Sequence, residues 1–153
     1  EGRARLFEEP SVTLAADAAF GGVVELRGLA DSTLAAAAPG KALELRFVWH
    51  VTSTEPPELV RFVQLLNPSG ELVSQNDSAP CATECPSPSW LQGEYLLDAV
   101  EIRVPEGSPA GEYSLLVGWY DAASQVRLSA TAPNGDSLAD SALRLPFVVQ
   151  SDD

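Results

Sequence analysis

The sequence predicts an all-β domain, an antiparallel β-sandwich of about eight strands with Ig-like or jelly-roll-like topology. Three observations predict it. Apolar residues recur at every second position in several segments, the period of a half-buried strand. Proline- and glycine-rich turns separate those segments at regular intervals. No long stretch has helical periodicity, which argues against a parallel α/β sheet.

Taken in order, Gly22 to Leu29 reads as the first strand. Ala30 to Ala38 is ambiguous: its alanines favour a helical turn, but the stretch is too short for an isolated helix. Lys41 to Val51 alternates most clearly, with Leu43, Leu45, Phe47, Trp49 and Val51 on one face and Glu44, Arg46 and His50 on the other. Pro39-Gly40 and Pro56-Pro57 bound it. Glu58 to Asn67 is mostly apolar on both faces, as suits a central strand covered on both sides. Asn67-Pro68-Ser69-Gly70 fits a type I turn, and Glu71 to Gln75 returns as the second arm of a hairpin.

Residues 76–93 form the longest irregular stretch, holding Pro80, Pro86, Pro88 and both cysteines, and are expected to be a binding loop. Glu94 to Val104 follows as a strand, with Leu96, Val100, Ile102 and Val104 in phase and Pro105 at its end. After the turn Ser108 to Gly111, the strand Glu112 to Tyr120 places Tyr113, Leu115, Val117 and Trp119 on one face. Gln125 to Thr131 and Ala142 to Gln150 complete the set, separated by the turn Pro133-Asn134-Gly135-Asp136. Leu143, Leu145, Phe147 and Val149 face inward in the last strand, and Pro146, which cannot donate to a ladder, marks it as an edge. The expected organisation is a linker over 1–10, one sandwich domain over 11–150 and a tail over 151–153.

Composition narrows the partners. There are 22 acidic and 9 basic residues, a net charge of −13, with one lysine and no basic run. Phosphate backbones and anionic membranes are poor partners for such a surface; the charge keeps the domain soluble. No apolar run approaches the roughly 20 residues that span a bilayer. Residues 1–10 lack the apolar core of a signal peptide. The chain lacks Met and starts at Glu1, so it is expected to be a segment of a longer protein.

The two cysteines, Cys81 and Cys85, stand as C-x3-C. Zinc would need about four ligands, and the sequence offers these thiols and His50. A redox centre usually has C-x-x-C. A structural disulfide pinning a Pro-rich loop is the favoured reading, and it places the domain outside the cytoplasm, where such bonds persist.

No catalytic residue is identified. His50 is the sole histidine and lies mid-strand, and G-x-S-x-G is absent. Glu94 and Asp98 share a strand face, but four residues of strand separate them by about 13 Å, too far for a glycosidase pair. For metal, the weak calcium candidates are Asn134, Asp136 and Asp140, whose alternative is ordinary Asx turns; no cofactor is expected. The ligand-binding candidates are Trp90, Glu94, Asp77 and Asn76. An exposed Trp beside carboxylates and amides is how many modules hold a sugar ring. Since most Trp residues are largely buried, capping the end of the core is the competing and preferred role for Trp90.

Trp90-x-x-Gly93-Glu94, Asp98, Val104-Pro105, Pro109-x-Gly111-x-Tyr113, Val117-Gly118-x-Tyr120-Asp121 and Arg127-Leu128 together form a further pattern. Leu43 to Trp49, Phe62-Val63-Gln64-Leu65, Gly70 and Gln75-x-Asp77-x-x-Pro80 extend it upstream. Over about residues 20–150 the chain resembles the C-terminal soluble domain of certain bacterial multi-spanning membrane glycosyltransferases, of the protein mannosyltransferase and aminoarabinose-transferase superfamily. It departs at Ala123 to Val126, where that pattern usually carries Thr-Gly, and in its cysteine pair. The resemblance implies a non-catalytic extracytoplasmic accessory domain tethered through a membrane protein, because the catalytic carboxylates of that family belong to its membrane part. The expected partners are a glycan or the membrane-embedded part of the same chain. A secreted carbohydrate-binding module, or a hydrolase whose site assembles only in the fold, are the alternatives. Within the resemblance, Gly118 leaves room for close packing or for a bulge, and Arg127 would pair with Asp121 across a short turn.

Overall fold

A computed structural model describes residues 5–150; residues 1–4, the outer part of the expected linker, and 151–153, the whole of the expected tail, lie outside the described residues. Among the described residues nine strands run β1 (Leu14–Phe20), β2 (Val24–Ser32), β3 (Ala42–Val51), β4 (Leu59–Leu66), β5 (Leu72–Ser78), β6 (Tyr95–Arg103), β7 (Gly111–Asp121), β8 (Ala130–Thr131) and β9 (Leu143–Val149). A five-stranded sheet has the order β6-β3-β2-β1-β8 and a four-stranded sheet the order β5-β4-β7-β9. Every pair is antiparallel. The two sheets pack face to face as a β-sandwich.

The alternation read from the sequence sets the inner faces. Leu43, Leu45, Phe47, Trp49 and Val51 of β3 meet Tyr113, Leu115, Val117 and Trp119 of β7 in one buried cluster. Trp119 lies at its centre, 4.9 Å from Trp49 and 5.3 Å from Trp90 in edge-on contacts, the geometry that aromatic quadrupoles favour. Pro146 is exposed on β9, which pairs only with β7 and is an edge.

Two elements differ from expectation. Leu14–Phe20 is a strand that the sequence did not mark, because its alanines carry little β-propensity. It pairs with β2 through a bulge between Ala15 and Ala18, and at Gly28 a Cβ would stand 2.4 Å from the Leu14 carbonyl oxygen, so only glycine admits this approach. The strand expected over 125–131 shrinks to Ala130–Thr131. The ambiguous alanine stretch forms a single 3-10 turn over Leu34–Ala36.

The segment expected as a linker is tied to the sheet where it is described. Leu6 forms an isolated bridge with Tyr95. Arg5 Nη1 donates to Glu94 Oε1 (2.8 Å) and to the Ser89 carbonyl (2.9 Å).

Candidate functional site

Two charged residues fall in the apolar phase of their strands. Arg61 of β4 and Asp98 of β6 are 1% and 0% exposed. They meet between the sheets as a bidentate pair, Nε to Oδ2 at 2.7 Å and Nη2 to Oδ1 at 2.9 Å. Trp49 Nε1 donates to Asp98 Oδ2 (3.1 Å), and the Cys81 amide donates to Oδ1 (2.8 Å). Arg61 Nη1 reaches Ser78 Oγ at 2.7 Å. A buried pair survives only when its remaining donors and lone pairs are matched in this way.

The loop expected to bind ligand is the cap on this pair. Cys81 and Cys85 form a disulfide, with Cα atoms 5.6 Å apart. The bond closes a left-handed run at Cys81, Ala82 and Thr83 (φ 54°, 52° and 76°), a conformation costly for residues with a Cβ. Ser87 is buried, and its hydroxyl accepts from the Leu59 amide and donates to the Pro57 carbonyl.

This packing gives two of the ligand candidates structural roles. Trp90 is 0% exposed and donates its indole N–H to the Cys85 carbonyl. Its ring is covered on both faces and cannot stack a sugar, so it caps the core. Glu94 is 1% exposed and accepts from Arg5 and from the Leu91 amide; a carboxylate so enclosed is structural. Asn76 turns away from its neighbour Asp77 and donates to the Glu101 carbonyl of β6 (2.7 Å). The weak calcium candidates Asn134 and Asp136 hydrogen-bond each other in an Asx turn, while Asp140 has a left-handed backbone in a separate turn. Among the described residues no group of three or more His, Cys, Asp or Glu converges as a metal set.

Asp77 alone of the four candidates faces a site. On the outer face of the four-stranded sheet, Phe62 of β4 lies opposite Gly118 of β7 and Asp77 of β5. A Cβ at Gly118 would stand 2.6 Å from the Phe62 ring, so the glycine lets that ring lie flat across β7. Tyr120 stacks beside it, 6.3 Å away at 21°, and donates its hydroxyl to Asp77 Oδ2 (3.1 Å). Burial raises the Tyr120 phenol above its ordinary range, and the Asp77 hydrogen bond and charge push the same way.

Arg127 roofs Phe62, its guanidinium carbon 4.1 Å from the ring centroid, a cation–π contact. It is held by the Asp140 carbonyl (2.8 Å). The expected partner, Asp121, instead accepts from the amides of Ala123 and Ser124 and builds the turn. Gln64 and Gln125 complete a hollow of about 270 Å³. With Phe62 buried beneath Arg127, its walls offer the partly exposed Tyr120 ring, a carboxylate, a guanidinium and two amides. These can grip a small polyhydroxylated ring, with hydroxyls shared between Asp77 and Arg127.

The sequence placed Phe62, Gln64, Tyr120 and Arg127 in a family-like pattern without a binding role. The available signal was that Phe62-x-Gln64 faces away from Leu59, Val63 and Leu65. Strand register, which brings Asp77 and Tyr120 to that face, is absent from a single sequence.

No family model matches the chain, and no curated protein matches it. Among solved structures, the fold is similar to the crystal structure of the C-terminal domain of wzt, at a TM-score of 0.53 and 12% identity over 89% of this chain and 77% of that one. The likeness is one of fold. No helix among the described residues is long and apolar enough to cross a membrane.

Proposed function

We propose that this chain is a non-catalytic accessory domain that binds a glycan on the outer face of its four-stranded sheet. The observation that carries the reading is the convergence of Asp77, Tyr120, Gln64, Gln125 and Arg127 around one hollow. Planar polar groups beside an aromatic ring match the alternating hydroxyl and C–H faces of a sugar. The volume lies just under the roughly 300 Å³ at which ligand pockets begin, so the site takes one sugar residue of a longer chain. A non-catalytic role is supported by His50, the sole histidine, which stacks on Tyr95 at 4.6 Å on the outer face of the other sheet. The disulfide suits an oxidising, extracytoplasmic compartment. There the module would present glycan to a membrane-embedded sugar transferase of the kind its sequence resembles.

The test is a glycan panel probed with the wild-type chain and with Tyr120→Ala and Asp77→Ala. Saturable binding is expected, and Asp77→Ala should weaken it by about 10-fold or more, the effect of one charged hydrogen bond, with thermal unfolding little changed. A panel without a hit, or a hit indifferent to both substitutions, would sink the reading.

A further inference from the structure

We infer that the opposite outer face carries a second glycan subsite, selective for an amino-substituted sugar. It extends the glycan reading, though its evidence is separate. Across the five-stranded sheet the register aligns Thr131, Ala19, Glu25, His50 and Tyr95 in one lateral row. Four of these side chains stand up from the sheet, and Ala19 contributes only a methyl. The gap above it is a hollow of about 510 Å³, walled by the turn Pro133 to Gly135 and by Glu25 and Arg27. That volume lies inside the roughly 300–1,000 Å³ range of ligand pockets.

The chemistry of the walls sets the class. Asp17 and Glu25 line the hollow with Arg27. Arg27 stands 3.3 Å from Glu9, 3.6 Å from Glu25 and 3.8 Å from Asp17. These are ion-pair separations longer than a good N–H···O bond, and the Arg27 Nε is shielded from solvent without a hydrogen-bond partner. The shielded Nε faces Glu9 and lies out of a ligand's reach. Nη1 of the part-exposed side chain, and the Asp17 and Glu25 carboxylates that it and His50 Nδ1 (3.4 Å from Glu25) approach only at long range, keep capacity for ligand hydroxyls. Two lining carboxylates, Asp17 and Glu25, against one guanidinium leave the wall negative. An ammonium on the sugar is favoured there, a neutral hydroxyl tolerated and a carboxylate repelled. The shelf around Arg127, with one carboxylate and one guanidinium, has no such bias.

The experiment titrates the ¹⁵N-labelled chain with methyl glucosaminide, methyl glucoside and methyl glucuronide, read as amide shifts. The glucosaminide should move Ala19, Thr131 and Gly135 and saturate in the millimolar range. The glucoside should bind about threefold more weakly, the measure of one solvent-screened ion pair, and the glucuronide should leave these amides still. Ala19→Phe, which fills the hollow from a strand position that accepts aromatics, should abolish the shifts without disturbing Gln64 or Gln125. No shift at Ala19 with any probe, shifts that persist in Ala19→Phe, or glucuronide binding as tightly as glucosaminide would each overturn the inference. Shifts at Gln64, Gln125 and Tyr120 report on the shelf separately, so either site can fail alone.

Discussion

Replacing Asp98 by Ala removes an acceptor that serves four donors: Arg61 Nε and Nη2, Trp49 Nε1 and the Cys81 amide. The guanidinium keeps Ser78 Oγ but loses its counter-charge at 1% exposure. Stranding one partner of a buried pair costs about 3–5 kcal/mol. Two further buried or part-buried N–H groups lose their bonds, so the upper end of that range applies, against a total stability of roughly 5–15 kcal/mol for a domain. In urea, with a slope of about 2 kcal/mol per molar, the midpoint should fall by about 2 M. The diagnostic variant is the double substitution Arg61→Met with Asp98→Ala. If the cost is the stranded charge, the double variant unfolds at higher urea than Asp98→Ala alone, because the charge has gone. Additive losses, with the double variant less stable than either single, would refute the idea that the pair acts as one unit.

The other expectations concern the cap and the shelf. The Cys81→Ser/Cys85→Ser variant should lose about 2 kcal/mol from the short ring closed by the bond and should red-shift tryptophan fluorescence as Trp90 gains water; fluorescence-monitored unfolding checks both. Trp90→Ala should cost about 3–5 kcal/mol by leaving a core cavity, read as a lower melting temperature with or without glycan. Asp77→Asn should lower the pH at which Tyr120 ionises, followed by ¹³C-labelled tyrosine NMR. Since the Tyr120 phenol is raised in the folded state, its protonated form contributes stability at neutral pH. That contribution should fade as pH rises through and above the ordinary tyrosine range.

Much of the fold was legible because strand alternation follows from burial alone. Every inward residue expected on β3, on β7 and at Leu145, Phe147 and Val149 of β9 lies in the core. Leu14–Phe20 escaped because alanine covers a sheet without announcing it. Arg61 and Asp98 were readable in principle: each interrupts an apolar phase, Leu59-x-Arg61-x-Val63 and Leu96-x-Asp98-x-Val100, and their signs are opposite. Pairing them required knowing that β4 and β6 face each other, a long-range fact. For the same reason Trp90 was open to two roles, and Asp77 could be nominated while Tyr120 and Arg127 were not. A loop's composition gives its polarity, but whether it faces solvent or plugs a gap depends on strands distant in sequence.

The stitching of β5 to β6 bears on how such domains behave when crowded. Both are end strands of their sheets, and a bare end strand is a template for another chain. Here Asn76 takes up the Glu101 carbonyl across the gap, and the disulfide turn packs against β6. At the far side β8 is two residues long and β9 carries Pro146, which offers no amide. Neither flank offers a long ladder for a neighbour to extend. Many copies could therefore stand side by side at high local density without fusing into a continuous sheet.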